Sequence, residues 1–580
     1  MSREKEYLPP WSDEAPEAGS YRSVFKWGDP SGFKHPNRKL YRYMKEQFRL
    51  SDDDFRVRVK EGREPVTLSG MPSRLDSVHR AALAAIVGEE NAADDDYSRV
   101  FYSIGKTQEE AFELRDGVVK HAADLILHPR HTDDVVGIVR YCDDHRIPLY
   151  VYGGGSSVNF GFRPMAGGVM VVMNTHMNRL LEVNELNKTA TVEAGMFGPA
   201  YESALNRAKE LFGTKRNYTN GHFPQSFEYS SVGGWVATLG SGQESSYYGD
   251  AYNLVMGVEM VTPRGVINTH VYPATATGPK VLDMIKGSEG TYGIITRLTM
   301  KIFYLSDGTK YGGSYVFKDW ETAVTVCREI SQGEFGFPGV LRISDEEETD
   351  MGLRLYGVAG TPLDTMMKLF GFREMKRCLM LFRTCGEKHF SKNVYRQIKK
   401  TCRRHGGLPL TSYPVKKWDH GRYLDPYLRE DLNDFGMVLD TTECGVTWEN
   451  LHRVHAEVRR FVKSRPLTGC LTHASHFYPE GTNLYFIFFC KVKDMEDYIS
   501  LQNGIFEAIQ RAGGSLSHHH GVGRMIAPWL EEHLGKTETD VLKLLKNHFD
   551  PNGILNPGGQ MGLDYRPGDL SGRDWRGIRR

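Results

Sequence analysis

Three consecutive histidines, His518, His519 and His520, are the residues of this chain best suited to acid–base chemistry. Ser517 precedes them, and a Gly-Val-Gly segment follows. Because the unperturbed charge of imidazole changes near neutral pH, such a group suits proton transfer or anion binding. A solvated loop or a partial metal site is the alternative, although three adjacent histidines point in different directions and cannot all bind one face of a metal ion.

Glycine-rich loops are the second chemical feature. The segment Gly153, Gly154, Gly155, Ser156, Ser157 follows an apolar run, and its backbone N–H groups could form an anion-binding concavity or simply a tight turn. It matches neither the ATPase pattern G-x-x-x-x-G-K-[ST] nor the Rossmann pattern G-x-G-x-x-G. Three more glycine-rich stretches, 193–195, 231–234 and 287–290, lie in the same region. Together they predict one extended ligand that contains a pyrophosphate and rings.

The elements that must position these residues change in character along the chain. Residues 1–100 are predicted to be mostly helical or irregular, with a basic amphipathic stretch at 37–48 and a helix at 77–90. An α/β region follows, in which a helix at 132–142 is predicted to be capped by Thr132 or Asp133. The predicted strands are 124–128, 148–152, 169–173, 190–194, a hairpin at 254–265, and 294–300.

A second region begins near residue 312. Its predicted elements are a strand at 313–317, a helix at 320–332, helices rich in Lys and Arg over 371–405, and a strand at 484–490. After it come a helix, the three histidines and a further helix. Residues 562–580 are polar and basic and are predicted to be a surface tail.

The composition excludes several classes of protein. Lys plus Arg and Asp plus Glu each number 73, so no net charge attracts the chain to nucleic acid. An apolar run of about 18 residues is absent, so no transmembrane helix is expected, and the charged first twenty residues do not read as a signal peptide. Eight scattered cysteines without a C-x-x-C pair indicate reduced thiols, and the final Ile-Arg-Arg is not a peroxisomal address. We therefore expect a cytoplasmic protein.

The glycine motifs occur in a recognisable series. The order I-P-L-Y-V-Y-G-G-G-S-S, V-E-A-G, S-S-V-G-G-W, T-P-R-G and G-S-E-G-T-Y-G-I-I-T resembles the FAD-binding domain of the vanillyl-alcohol oxidase (PCMH-type) family. The resemblance covers about 124–559, and within the family it is strongest to the branch that forms the ether bond of ether lipids. It implies an α+β fold, with a two-subdomain FAD-binding domain and a cap domain built on an antiparallel sheet with flanking helices. The implied units are 1–100, 101–310, 311–510 and 511–580.

The resemblance also implies which residues hold FAD. Residues 153–157 are expected to bind the pyrophosphate. The isoalloxazine and adenine ends are expected to lie against Pro224, Ser230, Ser231, Gly234, Glu289, Gly290 and Ile294. Some relatives tether FAD through a His or Cys beside the pyrophosphate loop, but 153–160 contains neither. We therefore predict non-covalent FAD.

A departure from the family pattern bears on metal binding. Relatives that oxidise D-2-hydroxy acids carry a Gly-Asp-Gly-Asn-x-His segment and a Glu-His-Gly-Ile-Gly segment, whose His and Glu bind a divalent metal. Here His476 remains, while Tyr485 and His519 stand where the other two ligands are expected. The resemblance thus predicts a site without metal and favours the ether-forming branch.

The same branch implies the catalytic residues. They are His518, His519, His520 and Tyr485, with Arg342 and Arg429 binding substrate. Taken singly, the tyrosine could be a strand-face aromatic and the arginines surface ion pairs. In the implied chemistry the arginine forks bind a phosphate, and a phenolate at Tyr485 takes a proton, with a neighbouring histidine lowering the phenol's pKa.

The implied reaction exchanges the acyl chain of 1-acyl-dihydroxyacetone phosphate for a long-chain fatty alcohol, through a flavin N5 adduct without net redox change. The alternatives are an FAD-dependent D-2-hydroxy acid dehydrogenase or oxidase, and a flavin-free structural protein. The apolar and basic residues of 367–405 suit a membrane surface on the inner face, or equally a helix packed on the cap domain. A homodimer is also expected.

Overall fold

The N-terminal region contains short helices joined by irregular segments. A computed structural model of the chain describes residues 14–55, 59–306 and 310–560; the polar tail predicted at 562–580 lies outside these ranges. The helices are α1 Tyr21–Phe25, α2 Arg38–Phe48, α3 Ser77–Val87, α4 Asp96–Phe101 and α5 Gln108–Arg115. Helix α2 begins where the side chain of Asn37 accepts the backbone N–H groups of Lys39 and Leu40.

The first half of the α/β region is a four-stranded sheet. Its strands are β1 Ala92–Ala93, β2 Leu125–Leu127, β3 Leu149–Tyr152 and β4 Val169–Val172, in the order β1-β2-β4-β3. Both β2 and β3 run parallel to β4, and helix α6 Thr132–His145 connects β2 to β3. The predicted caps of α6 were wrong. The N-cap is His131, which accepts the Asp134 N–H, while the Thr132 hydroxyl donates to Glu259.

A five-stranded antiparallel sheet forms the second half. Strands β5 to β11 are Leu180–Asn184, Thr189–Glu193, Tyr218–Thr219, Val255–Thr262, Gly265–Asn268, Ile294–Lys301 and Phe303–Tyr304. The sheet order is β5-β6-β10-β8-β9, and β7 pairs with β11. The pairing of Thr262 with Gly265 confirms the predicted hairpin. Helices α7 to α12 are Gly198–Asn206, Ala208–Phe212, Val232–Ala237, Ser245–Tyr248, Ala251–Leu254 and Val281–Ile285.

The second region is built on a seven-stranded antiparallel sheet. Strands β12 to β18 are Gly312–Phe317, Val340–Ser344, Cys378–Arg383, Leu408–Leu410, Val438–Thr447, Thr468–Ser475 and Gly481–Cys490. Their order is β15-β12-β14-β13-β17-β18-β16. Helices α13 to α20 are Trp320–Ser331, Glu346–Leu355, Pro362–Leu369, Lys388–Arg404, Tyr413–Gly421, Asp425–Asn433, Leu451–Ser464 and Met495–Arg511. We call this region the cap.

The prediction of helices throughout 371–405 was wrong. Residues Cys378–Arg383 form β14, which lies between β12 and β13 inside the cap sheet. A short apolar run buried on both faces can be a strand or a helix, and periodicity alone does not separate the two. Only α16 is helical in the second half of this stretch, and it buries a stripe of Val394, Ile398 and Cys402 against the cap core.

The C-terminal segment returns to the first region. Two helices follow the histidines, α21 Gly523–Leu534 and α22 Lys536–Phe549, rather than the single helix predicted; Gly535, with φ +87°, separates them. The Leu149 N–H then donates to the carbonyl of Ile554 at 2.7 Å. The histidine loop is therefore held between the cap sheet and the α/β region. Within the described ranges, none of the helices has both the length and the apolar character needed to span a bilayer.

Candidate active site

A cavity of about 940 Å³ lies between the α/β region and the cap. Both regions contribute to its wall. The residues predicted to hold FAD all line it: Gly153, Gly154, Gly155, Ser156, Ser157, Pro224, Ser230, Ser231, Gly234, Glu289, Gly290 and Ile294. Three segments that are distant in sequence, 153–157, 224–234 and 289–294, thus form one continuous surface.

The loop 153–157 approaches a neighbouring segment so closely that side chains are excluded. A Cβ on Gly153 would lie 2.4 Å from the Ser231 hydroxyl, and one on Gly154 would lie 2.3 Å from the carbonyl oxygen of Tyr229. Gly155 has φ +70°, a conformation that favours glycine. The resulting wall is narrow, concave and lined by backbone, which fits an extended dinucleotide such as FAD.

Strand register places three polar side chains in one row of the cap sheet. Tyr485 in β18 lies opposite Glu443 in β16 and opposite His473 in β17. Because side chains alternate along a strand, residues two and four positions away share this face. Those at one end are apolar and line the cavity: Leu439, Leu471, Ile487 and Phe489. The wall therefore changes from polar to apolar along the strands.

Glu443 holds the histidine loop in place. Its buried carboxylate accepts the Ser517 hydroxyl and the backbone N–H groups of His518, His519 and His520, at 2.8 to 3.1 Å. Burial by itself raises the pKa of Glu443, but His520 and His518 together with these donors outweigh it and lower the pKa. Sequence reasoning missed this residue; the available signal was a pair of carboxylates, Asp440 and Glu443, inside the otherwise uncharged strand β16.

The three histidines have different surroundings. His519 and His520 line the cavity, while His518 lies behind His519, with their Nδ1 atoms 3.1 Å apart. The Tyr478 hydroxyl lies 2.8 Å from His518 Nε2. Burial lowers the pKa of His518, and burial with the neighbouring imidazoles holds the pKa of His519 well below its usual range. Both rings are therefore neutral at neutral pH and can exchange protons with their partners.

His476 is the one residue that remains of the metal-ligand set expected in hydroxy-acid-oxidising relatives. His476 Nδ1 lies 3.0 and 2.8 Å from the hydroxyls of Ser241 and Ser245, so serine hydroxyls occupy this one of its two ring nitrogens. The one group of possible metal ligands found in the described residues is Glu443, His519 and His520, whose ligand atoms lie within 4.8 Å of one another. The carboxylate of Glu443 already accepts the donors of the histidine loop. The metal-free site stays a prediction.

Tyr485 lies at the centre of the cluster. Its ring stacks on His473, with centroids 4.9 Å apart, and lies 6.1 Å from His519. Its hydroxyl donates to Thr441 at 3.1 Å, rather than to a histidine as predicted. Burial raises the pKa of Tyr485 to about 12, although the Thr441 bond opposes this, so the phenol's pKa is not lowered.

The two predicted arginines line the same cavity, so neither is an ordinary surface ion pair. Arg342 Nη2 donates to Glu348 at 2.7 Å and lies 3.1 Å from His473 Nδ1. Arg342 and His473 hold the pKa of Glu348 at about 2, against the effect of burial. Arg429 donates to the Lys106 carbonyl at 2.6 Å. Tertiary structure thus brings both cations to the wall that carries Tyr485.

Helix α2 covers the apolar end of the cavity. Leu40, Met44 and Phe48 lie on its buried face and line the cavity. The Phe48 ring meets Phe489 edge to face, with centroids 5.5 Å apart and the planes at 83°. Tyr43 contacts the same Phe489 ring at 5.9 Å. The stretch that sequence analysis described only as basic and amphipathic is therefore part of the cavity.

Comparisons with known proteins agree with this geometry. The sequence profile named FAD binding domain matches residues 123–269, and the profile named FAD linked oxidases, C-terminal domain, matches 312–559. Alkyldihydroxyacetonephosphate synthase of Dictyostelium discoideum is 31% identical over 493 residues, covering 82% of this chain and 79% of the relative. The enzyme of the same name from Trypanosoma brucei brucei is 26% identical over 549 residues, covering 90% and 87%.

A solved structure gives the same result. A structure of alkyldihydroxyacetonephosphate synthase superposes with a TM-score of 0.76 at 26% identity, covering 92% of this chain and 99% of the other. The predicted α+β, PCMH-type fold is confirmed, and FAD is the cofactor of this protein. The chain belongs to the alkyldihydroxyacetonephosphate synthase family.

Proposed function

We propose that this enzyme exchanges the acyl chain of 1-acyl-dihydroxyacetone phosphate for a long-chain fatty alcohol and so forms the ether bond of ether lipids. One observation carries the proposal: a single cavity joins the flavin wall, a phenol–imidazole–arginine cluster and an apolar arm. The names of the relatives support it. A small hydroxy acid, the alternative substrate, has no need of the apolar arm.

The phosphate of the substrate is proposed to bind at Arg342 and Arg429. Guanidinium forks bind phosphate with charge-assisted hydrogen bonds. Arg342 is already oriented by Glu348, which fixes one side of its fork while the side chain stays 21% exposed to the cavity. This arrangement leaves a cation facing the substrate at little conformational cost.

Proton transfer is proposed to involve Tyr485 and the histidines. Because its pKa is raised to about 12, the Tyr485 hydroxyl keeps its proton at neutral pH. It can act as a base only after passing that proton to an imidazole. His519 and His520, which line the same cavity, are the proposed acceptors, with His518 behind them.

FAD, when bound, would supply an acceptor of electron density for the reaction. Residues 153–157 are proposed to hold its pyrophosphate. Residues of 224–234 and 289–294 are proposed to hold its rings. We propose that it is bound without a covalent link, since neither His nor Cys occurs in 153–160. The protein's own part is to orient both ligands and to exclude water from between them.

A product assay tests the proposal. The purified yellow protein is given 1-palmitoyl-dihydroxyacetone phosphate and hexadecanol, and mass spectrometry follows the ether product and the released palmitate. We expect both products from the wild type and their loss in Tyr485→Phe and His519→Ala, with flavin retained. Lasting bleaching of the flavin by a D-2-hydroxy acid without ether formation would replace the proposal with a dehydrogenase, and a colourless protein would remove it.

We also propose that the enzyme contacts a membrane beside the mouth of the cavity. Tyr356 and Leu424 line the cavity and are 49% and 42% exposed, so the cavity opens there. Just beyond Tyr356, α15 and the turn after it expose a patch that we call the α15 patch. It consists of Leu363, Met366, Leu369 and Phe370, flanked by Lys368, Arg373 and Lys376. Lys368 is paired with Asp364 and Glu374, so Arg373 and Lys376 are the cations of the patch that would meet an anionic bilayer surface beside the apolar side chains.

Vesicle flotation tests this contact. We expect the protein to float with phosphatidylglycerol vesicles more than with phosphatidylcholine vesicles, and Leu369→Glu with Phe370→Glu to abolish flotation. Leu186→Glu is the matched control, because Leu186 is 96% exposed on another surface. Flotation unchanged by the α15 patch substitutions would contradict the proposal. The proposed homodimer is tested separately by light scattering on the eluting protein.

A further inference from the structure

A chain of hydrogen-bonding groups leaves the cavity on the side of His518. His519 Nδ1 lies 3.1 Å from His518 Nδ1, and His518 Nε2 lies 2.8 Å from the Tyr478 hydroxyl. That hydroxyl in turn lies 3.4 Å from Oδ2 of Asp250. His519 lines the cavity, whereas Asp250, at the start of α11, is partly exposed as a residue, with its Oδ1 buried and its Oδ2 toward Tyr478. The chain therefore connects the cavity to the protein surface.

Two complete arrangements of protons satisfy this chain. In the first, His519 carries its proton on Nδ1 and donates to His518 Nδ1; His518 Nε2–H donates to Tyr478, whose O–H donates to Asp250. In the second, His519 has taken up one proton from the cavity on Nε2 and each of the original protons has moved one step outward, so that Asp250 is protonated. Imidazoles and hydroxyls both donate and accept, which lets each link run in either sense.

Asn483 supports both arrangements. Its side-chain amide lies 3.1 Å from His519 Nδ1, and its own oxygen, which is buried, has no hydrogen-bond partner within the described part of the chain. Turning the amide presents either N–H₂ or oxygen to that nitrogen. The residue can therefore follow a change of tautomer at His519 without moving its backbone.

The surroundings keep the two imidazoles neutral. The carboxylate of Glu443 lies 3.5 Å from His519 Nδ1 and raises the pKa of His518, but burial has the larger effect. The His476 ring lies 5.3 Å from that of His518 and 5.1 Å from that of His519. His520 stacks edge to face on His519 at 4.7 Å. Burial lowers the pKa of both His518 and His519. Neutral rings can pass protons along in one concerted step, so that no charged imidazolium has to form in the buried interior.

We propose that His519, His518, Tyr478 and Asp250 form a proton path between the cavity and solvent. A proton arriving at His519 Nε2 is matched by transfer of the Nδ1 proton to His518, of the His518 Nε2 proton to the Tyr478 oxygen, and of the Tyr478 proton to the carboxylate of Asp250, which releases it to water. No electron is transferred, and one proton enters for each that leaves. The inference extends the proposed function and rests on it only for the source of the proton.

Tyr478 acts through His518 and is therefore a positioning residue. Its test needs a readout other than loss of activity. The variants are Tyr478→Phe, which removes only the hydroxyl, and Asp250→Asn, which removes the final acceptor. Asp250→Glu is the conservative rescue. Tyr247→Phe is the matched control, because Tyr247 is a half-buried tyrosine of α10 outside the path.

Kinetics give the first readout. Since a positioned proton carrier contributes about 100-fold or more to rate, we expect kcat to fall by at least about tenfold in Tyr478→Phe and Asp250→Asn. KM and flavin content should stay close to those of the wild type, and the solvent isotope effect on kcat should rise. Asp250→Glu should recover most of the rate. Wild-type kcat and isotope effect in both variants would overturn the path.

A second readout does not depend on turnover. Nitrogen NMR of protein labelled with ¹⁵N-histidine reports the tautomer of each ring. We expect Tyr478→Phe to shift the ring nitrogens of both His518 and His519, and Tyr247→Phe to shift neither. If the wild type made no ether product but these shifts occurred, the proposed function would fail while the path stood. Shifts confined to His518, or none, would overturn the path itself.

Discussion

Both carboxylate oxygens of Glu443 accept the backbone N–H of His518, at 3.0 and 2.8 Å. A strand residue of the cap thereby fixes the main chain of a loop that belongs, through the helices after it, to the α/β region. Glu289 holds the same segment from the other side, accepting the N–H groups of Val522 and Gly523. The histidine loop is thus fixed at both ends by buried carboxylates.

Replacing Glu443 with Gln should loosen this loop. The glutamine amide would point N–H groups at backbone donors, and each buried donor left unpaired costs about 1–3 kcal/mol. We expect a lower melting temperature and a kcat reduced by about 100-fold with flavin retained, measured by thermal unfolding and product formation. Glu480→Gln, at an exposed turn, is the control. Normal turnover in Glu443→Gln would show that the loop needs no such support.

Arg342→Met should weaken binding of the phosphate-bearing substrate. A hydrogen bond to a charged group contributes about 1.5–3 kcal/mol, which corresponds to a KM about 10–100-fold higher. The KM for the fatty alcohol should change little, because the alcohol carries no phosphate. Arg354→Met removes an arginine paired with Glu374 outside the cavity and should leave both constants unchanged. Equal rises in the two KM values would instead indicate general damage.

Glu289 predicts a pH dependence of stability. Burial raises the pKa of this carboxyl from 4.5 to about 7, although the Val522 and Gly523 N–H groups oppose it. The folded state then binds a proton more tightly than the unfolded state, so stability falls as pH rises from about 4.5 to 7, by up to about 3 kcal/mol. Melting temperatures across this range should show the fall in the wild type and a flatter profile in Glu289→Gln. Exposed Glu182→Gln should keep the wild-type profile; a steep fall in Glu289→Gln would assign the dependence elsewhere.

Phe489→Ala should change the preference for alcohol chain length. Phe489 and Phe48 meet at the apolar end of the cavity, so removing one ring extends the space available to an alkyl chain. We expect kcat/KM to shift toward longer alcohols, measured with a chain-length series. The control is Phe461→Ala, a phenylalanine of α19 packed on the other side of the cap sheet. An unchanged preference would mean that the chain does not reach Phe489.

Prolonged treatment with EDTA should leave turnover unchanged. The group of possible ligands in the described residues is Glu443, His519 and His520, and the Glu443 carboxylate is engaged by the loop, which leaves two imidazoles for a divalent ion. Metal analysis of the purified protein should find less than one equivalent of zinc or manganese. Loss of activity on chelation, restored by either metal, would contradict the metal-free site.

The sequence by itself determined the local features. The glycine loop 153–157, the hairpin at 254–265 and the run of histidines are contiguous, so their residue types reveal them without a fold. The resemblance then connected them to FAD, to Tyr485 and to the arginines. The predictions for the N-cap of α6 and for residues 378–383 (β14) were wrong. Short apolar runs and polar helix starts depend on tertiary neighbours that a window of sequence does not contain.

Tertiary structure alone decided how the site is supported. Glu443, His473 and Tyr485 come from three strands, and only the register of the cap sheet places them in one row. Tyr478 and Asp250 are more than two hundred residues apart, yet meet beside His518. The physical reason is that strand pairing and burial act between distant segments, so the partner of a buried charge is chosen by the fold and not by its neighbours in the chain.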